Sequence, residues 1–311
     1  MPTAYKNARG HAAVRQWCSE ALARAGFPLT STTVDTSAGT VQLTSAEPEP
    51  EAGPGAETGP GAETGPGTGI GSSRIVLVPG TGFNAAVALP WLRALSARWA
   101  TTVVDLPGQP GLSDPHRPRQ APPAWYGRIL DEVLAAAELD RVVLVGNSLG
   151  AAVALAADSP RIAARALISP AGFIRLSVDP KLALASTAWL LRPTSERTLR
   201  MLRLFVAPGE DPPATEVEWM TLMASCCRTT LSPPPLPAAL LAGRAERPCV
   251  VGVGEHDRFL PPRRLAPAVR RTMNLDLRVF AGMGHLTTPD HLDEVVSLVA
   301  EVADQVDRDR S

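Results

Sequence analysis

The chain has 311 residues, 45% of them hydrophobic, with 30 basic against 31 acidic residues for a formal charge of -1; this suffices for one large core with an insertion. The even balance, without a block of either sign, excludes the electrostatic footprint of a nucleic-acid or anionic-membrane binder and leaves a small neutral or weakly charged molecule as the expected partner. Cys18, Cys226, Cys227 and Cys249 show neither Cys-x-x-Cys nor Cys/His metal spacing and are too few for a disulfide framework, and no signal-peptide core or long apolar run is present, so a soluble, cytoplasmic protein is expected.

Taken in chain order, Val14, Trp17, Cys18, Ala21 and Leu22 recur at helical spacing before Gly26 and Pro28, which predicts a leading helix within residues 1–31. Thr32-Thr-Val-Asp-Thr and Thr40-Val-Gln-Leu-Thr flank Ser37-Ala-Gly39 and predict two strands joined by a turn. Between residues 47 and 73, Gly-Pro-Gly-Ala-Glu-Thr occurs at Gly53 and Gly59, with a degenerate copy at Gly65. Lacking apolar residues, that segment cannot offset the entropy of ordering and is expected to be a disordered loop. From Arg74 onward strand and helix signals alternate: Ile75-Val-Leu-Val, a helix at Trp91 to Trp99, Thr101-Thr-Val-Val, a helix at Tyr126 to Leu139, and Arg141-Val-Val-Leu-Val. Strands at Ala166-Leu-Ile, Cys249-Val-Val-Gly-Val and Leu277-Arg-Val-Phe follow, and an amphipathic helix at Leu292 to Val306 closes the chain. Continuous Val/Ile/Leu strands alternating with helices predict an α/β fold whose mostly parallel sheet has helices on both faces, with reactive groups gathered at the carboxyl ends of the strands.

The strand from Arg141 ends in Gly146-Asn147-Ser148-Leu149-Gly150 and runs directly into the Ala-rich stretch Ala151 to Ala157. Gly-x-Ser-x-Gly occurs by chance in Gly/Ser-rich loops, but between a buried strand and a helix it reads as a nucleophile elbow. The turn is so sharp that the flanking positions must lack a Cβ, and it exposes the serine oxygen at a helix N-terminus. Serine needs a base, and the base needs a carboxylate to orient it. His285, in the Gly-rich loop Gly282-Met-Gly-His285 after the last strand, is the candidate base. His11, His116 and His291 lie in helical or Pro-rich surface contexts, whereas His256 follows a strand and stays open on position alone. Asp257, in Gly254-Glu255-His256-Asp257 just past a strand, is the candidate carboxylate; alone it would read as an Asx-turn or helix cap before Pro261 and Pro262, and Glu255 is a rival. The order Ser148, Asp257, His285 is that of a known triad arrangement.

The turn Val78-Pro79-Gly80-Thr81-Gly82-Phe83 follows the strand before the first long helix, and its backbone N–H groups, with that of the residue after the serine, can receive a developing oxyanion. Thr81 and Leu149 are the assigned donors. Asp105-Leu-Pro-Gly108 to Ser113 forms another strand-end loop, expected to be scaffolding, with Ser113 disfavoured as a nucleophile. Between Ala171 and Arg247 the alternation stops for roughly seventy residues, too long an excursion to lack structure of its own. Helices at Leu182 to Leu191, Ser195 to Phe205 and Thr215 to Cys226 are predicted to build a cap over 171–247, leaving 32–170 and 248–311 as the core. Trp189, Leu204, Phe205, Trp219, Met220 and Met223 are candidate pocket residues, though for each one plain packing is the commoner use.

Together Gly146-Asn-Ser148-Leu-Gly150, Asp105-x-Pro-Gly108, Gly254-Glu-His-Asp257 and Gly282-Met-Gly-His285 resemble the α/β-hydrolase superfamily, in particular its carboxylesterase-like bacterial serine hydrolases, from about Thr32 to Val306. Many members carry His-Gly at the oxyanion turn where this chain has Pro79-Gly80, a change at the rim that spares the backbone donors. The resemblance implies cleavage of a small, fairly apolar carboxylic ester through an acyl-enzyme, without cofactor or metal. The same triad also serves thioester, lactone or C–C bond cleavage and acyl transfer, and Gly146-Asn147-Ser148 does not choose among them; a non-catalytic ligand-binding relative is the third expectation, against which the complete triad argues.

Overall fold

The computed structural model describes residues 2–48, 73–118, 122–228 and 234–309. The segment expected to form a disordered loop lies outside these from residue 49 to residue 72. In chain order the elements are α1 (Ala8–Ala23), β1 (Thr30–Thr36), β2 (Gly39–Ala46), β3 (Arg74–Val78), α2 (Leu89–Ser96), β4 (Thr101–Val104), α3 (Pro123–Ala136), β5 (Val142–Asn147), α4 (Leu149–Ala156) and β6 (Ile162–Ile168). Four helices follow, α5 (Pro180–Leu191), α6 (Ser195–Leu202), α7 (Ala214–Cys226) and α8 (Ala238–Arg244), and then β7 (Cys249–Gly254), α9 (Pro262–Met273), β8 (Leu277–Phe280) and α10 (Leu292–Arg308).

The strands form one eight-stranded sheet in the order β1-β2-β4-β3-β5-β6-β7-β8. β2 pairs antiparallel with β1 and with β4, and every pairing from β4 onward is parallel. Because successive strand residues point to opposite faces, each central strand feeds two cores. Val76, Val78 and Leu144 pack on one face with Ile129, Leu130 and Val133 of α3 and Leu265 and Val269 of α9. Ile75, Leu77, Val143 and Val145 pack on the other with Leu92 and Leu95 of α2 and Val295, Val299 and Val302 of α10. Val142 through Val145 are fully buried, each such side chain contributing about 1.5–3 kcal/mol, which is why β5 reads as an uninterrupted apolar run.

The chain leaves β3 toward β4 on one side and returns to pair β5 on the other, so the order of strands reverses at β3/β5. In open sheets the crevice outside the carboxyl ends at such a reversal receives ligands. Here it lies between the turn after Val78 and the turn after Asn147.

Apart from Leu22, which reaches the edge of the second core, α1 packs away from the sheet. Its Val14 and Cys18 join Ala4, Tyr5, Met201, Leu202, Trp219 and Met220 in a third cluster shared with the helices between β6 and β7. An antiparallel bridge from Tyr5 to Cys227 ties the N-terminal segment to the end of α7. The four cysteines are free, and burial pushes the Cys227 and Cys249 thiols up to about 12. Among the described residues no helix is long and apolar enough to cross a membrane.

Candidate active site

β5 ends at Asn147 and α4 begins at Leu149, so Ser148 alone makes the turn, at φ 50° and ψ -110°. A non-glycine residue held in that region stores on the order of 1–3 kcal/mol of strain. The flanking glycines are required by contact: a Cβ at Gly146 would lie 2.5 Å from the Ala151 Cα, and one at Gly150 would fall on the Val78 carbonyl oxygen. The Ser148 backbone is locked by its N–H donating to the Ile168 carbonyl at 3.0 Å and its carbonyl accepting from Ala171 at 3.1 Å. Its side chain makes no capping bond to α4 and faces a cavity of about 280 Å³. The far end of α4 is held by Arg165, a fully buried residue of β6 that donates through Nε to the Ala154 carbonyl at 2.9 Å and through Nη2 to that of Ala157 at 3.0 Å. Burial pulls this guanidinium down to about 10, still charged at neutral pH and placed where a helix C-terminus favours a cation.

His285 lines the same cavity as Ser148, and its Nδ1–H donates to Asp257 Oδ2 at 2.8 Å. The other carboxylate oxygen, Asp257 Oδ1, accepts from the Phe259 and Leu260 N–H groups, both at 2.9 Å. Burial works to raise the Asp257 pKa, but the adjacent imidazole, joined by the Leu260 N–H, outweighs it and holds the carboxyl below its ordinary value. With Nδ1 donating, a neutral imidazole presents the bare Nε2 as its acceptor. The two loops are stitched together, since Glu255 N–H donates to the Phe280 carbonyl and His256 N–H to that of Met283, both at 2.9 Å. A third tie comes from Leu286 N–H to the Phe205 carbonyl at 2.8 Å. Phe259 stands with its ring centroid 4.7 Å from that of His285, and Phe205 at 6.4 Å. The rival carboxylate points elsewhere: Glu255 Oε2 accepts from Gly282 N–H at 3.0 Å. His256 sits 3.8 Å from Glu255 and half in solvent, so of the five histidines His285 is the one that lines the cavity.

At the turn after β3, Gly82 is held on both sides of its peptide unit. Its N–H donates to Gln109 Oε1 at 3.1 Å, Gln109 Nε2 donates to the Tyr126 hydroxyl at 2.8 Å, and the Gly82 carbonyl accepts from Trp219 Nε1 at 2.9 Å. Phe83 N–H donates to the Gly80 carbonyl at 3.0 Å, leaving the Thr81 N–H without a partner among the described residues. Leu149, as the first residue of α4, has an N–H with no intrahelical acceptor. Thr81 lines the cavity that Ser148 faces, and Leu149 follows Ser148 directly in the chain. The scaffolding reading of the Asp105 loop has a concrete form: buried Asp105 accepts from Ala85 N–H at 2.7 Å and Leu112 N–H at 3.0 Å. Burial nonetheless raises its pKa to about 6. Ser113 is buried, donating to the Asp105 carbonyl at 2.6 Å and accepting from Gln42 N–H at 2.8 Å.

Helices α5 to α7 provide much of the cavity wall. Of the candidates named from sequence, Trp189, Phe205, Met220 and Met223 line it, whereas Trp219 and Leu204 are buried away from it. Trp219 nevertheless reaches the site through its hydrogen bond to Gly82. Gln109 and Arg165 were missed by sequence reasoning altogether, because each acts through a contact with a distant segment and carries no local signal. One turn before Trp219, Glu216 is buried with Oε2 unpartnered among the described residues. It faces a second, small cavity of about 30 Å³, shared with Gly80, Asn147 and Thr287. Burial raises its pKa to about 7 against a lesser opposing effect of its own backbone N–H. Among the described residues no group of three His, Cys, Asp or Glu side chains could hold a metal ion.

A model of the alpha/beta hydrolase family matches residues 75–298, from β3 into α10. The chain belongs to that family. A search of curated proteins finds no match. Among solved structures, this α/β-hydrolase is similar to the carboxylesterase CesB (YbfK) of Bacillus subtilis, with a TM-score of 0.73 and 17% identity over 94% of this chain and 98% of that one. It is also similar to the naproxen esterase (carboxylesterase NP) of Bacillus subtilis, at TM-score 0.69 and 17% identity over 98% and 100% of the two chains. A thermophilic esterase from Thermogutta terrifontis gives 0.59 and 18% over 89% and 99%. At such identities the likeness is one of fold. At 98% of this chain, the likeness to the naproxen esterase extends beyond the residues of the family match.

Proposed function

We propose that this α/β-hydrolase is a serine esterase acting on a small, fairly apolar carboxylic ester. The observation that carries the reading is that a strained serine at a strand-to-helix turn and a histidine bonded to a buried, ionised aspartate open into one apolar cavity. In the proposed mechanism His285 Nε2 removes the Ser148 proton as Oγ attacks the ester carbonyl carbon, and the carbonyl electron pair moves onto oxygen. Asp257 keeps Nδ1 protonated and stabilises the imidazolium that forms. The oxyanion accepts from the N–H groups of Thr81 and Leu149, each such donor being worth about a hundredfold to a thousandfold in rate. Collapse of the tetrahedral adduct breaks the bond to the alkoxy oxygen, which leaves with the proton from His285. Water then enters and attacks the acyl carbon as His285 takes its proton, and the second adduct collapses to release the acid while His285 returns that proton to the departing Ser148 Oγ.

The size and character of the cavity support a small substrate, since its 280 Å³ falls at the lower edge of ligand pockets, roughly 300–1,000 Å³. The helices between β6 and β7 act in this reading as a cap whose side chains hold the apolar part. Hydrolysis of p-nitrophenyl esters of increasing acyl length, beside matched thioesters and lactones, tests the proposal. The expected outcome is turnover of the short esters that falls by on the order of a millionfold in Ser148→Ala; activity retained in that variant would sink the reading.

A further inference from the structure

Among the described residues lining the main cavity, Arg228 is the one charged side chain apart from the imidazole of His285. Its placement is set by the N-terminal segment. The Arg228 N–H donates to the Ala4 carbonyl at 2.7 Å, and its Nε donates to the Tyr5 carbonyl at 3.1 Å. The Nε edge is therefore spent on backbone, while the terminal nitrogens have no carboxylate among the described residues. Nor does the adjoining stretch of sequence supply one, since residues 229–233 read Thr-Thr-Leu-Ser-Pro. Lys6 lies outside the cavity lining, its Nζ donating to the carbonyl of Ala224. One cation whose outer nitrogens have no carboxylate among the described residues, at the edge of a mostly apolar cavity, forms a place for an anion.

The position relative to the chemistry follows from α7. Met223 packs its sulfur against Gly82 of the oxyanion turn, and Arg228 comes five residues later, past the helix end at Cys226. Three helical steps and two extended ones keep the Arg228 backbone within about 12 Å of that of Met223, and both residues line the cavity that Ser148 faces. A guanidinium with its outer fork free matches the two oxygens of a carboxylate or the oxygens of a phosphate. We propose that Arg228 selects esters that carry an anionic group, carboxylate or phosphate, at the end remote from the scissile bond, with the apolar linker lying against Met220, Met223 and Trp189. This rests on the serine-esterase reading and narrows it, because a purely apolar ester leaves the cation unmatched.

The test compares matched esters in the full-length protein. Mono-p-nitrophenyl adipate against p-nitrophenyl hexanoate places the charge on the acyl side, and 4-carboxyphenyl hexanoate against phenyl hexanoate places it on the alcohol side. The expected result is a preference in kcat/KM for the anionic member of one pair of about tenfold, as for a charged hydrogen bond partly open to solvent, weakening as salt is added. Arg228→Gln should abolish that preference, lowering kcat/KM for the anionic ester about tenfold more than for its neutral partner, whereas Arg228→Lys, which keeps the charge without the fork, should retain part of it. Equal kcat/KM within both pairs, or an equal loss on neutral and anionic esters in Arg228→Gln, overturns the assignment. Binding of the same four esters to Ser148→Ala separates the two levels of the argument. Tighter binding of an anionic ester without wild-type turnover keeps Arg228 and sinks the esterase; turnover without any preference keeps the esterase and sinks Arg228.

Discussion

Glu216 is a carboxyl group that folding carries into an apolar chamber without a cation, and Glu216→Gln should reveal its cost as a function of pH. Burial raises its pKa from 4.5 to about 7. In the unfolded chain the group ionises near its ordinary value, so between these limits the unfolded state gives up a proton that the folded state retains. The sign is therefore fixed: the favourable contribution is complete below the unfolded value and is lost as pH rises through about 7. At 1.36 kcal/mol per pH unit, the difference reaches about 3 kcal/mol above neutrality. No other charged side chain lines the chamber among the described residues, and the amide, of nearly the same shape, cannot ionise. Asp105 also titrates high, near 6, through burial, but it is common to both proteins and cancels in the comparison. Urea denaturation of wild type and Glu216→Gln at pH 4.5 and pH 8 measures the effect. We expect nearly equal stabilities at the acid end and a variant more stable by about 3 kcal/mol at the alkaline end. A pH-independent difference, or a variant less stable at pH 8, would refute the reasoning.

Two further substitutions probe the site. Asp257→Asn keeps the shape but removes the charge that fixes the His285 tautomer, and steady-state kinetics should show kcat lower by on the order of ten-thousandfold, with little change in thermal stability. Trp219→Phe removes the indole N–H from the buried Gly82 carbonyl; the expected results are a loss of about 1–3 kcal/mol in stability and a fall in kcat of about tenfold with KM nearly unchanged, which would mark Trp219 as a positioning residue for the oxyanion turn.

The sheet was legible because β3, β5 and β6 are buried on both faces and must be written in Val, Ile, Leu and Ala, and a short uninterrupted run of these residues between turn signals is the mark of a doubly covered strand. Ser148, Asp257 and His285 stood out as candidates for a related reason: each sits within a few residues of a strand end, and a sharp turn forces glycine beside two of them. α8 and α9 were not read, since Pro237, Pro261 and Pro267 resemble breakers; Pro261 in fact precedes the first turn of α9, where Pro262 at the N-terminus costs no hydrogen bond. Gln109 and Arg165 escaped notice for a different reason, and the sequence marks Trp219 only as a candidate pocket residue, not as a partner of Gly82. Arg165 lies in an apolar strand, where a charged residue suggests exposure, yet its partners are the last carbonyls of α4 across a packing interface. Trp219 belongs to a helix that is apolar on most sides, so no periodicity singles out the face meeting Gly82. Arg228 is one arginine among many until the hydrogen bonds to Ala4 and Tyr5 place it at the cavity. Sequence resolves the charge choice at the acid only partly, too, because Glu255 and Asp257 are neighbours, and it is the bond from His285 that distinguishes them.

The most direct test of the central claim is labelling with a fluorophosphonate, which phosphonylates a serine only where a base, an oxyanion site and an accessible oxygen coincide. Intact-mass analysis followed by peptide mapping should find a single adduct on Ser148 in the wild-type chain, strongly slowed in Asp257→Asn and absent in Ser148→Ala. An unlabelled wild-type protein, or an adduct that maps to Ser113 or persists in Ser148→Ala, would contradict the account.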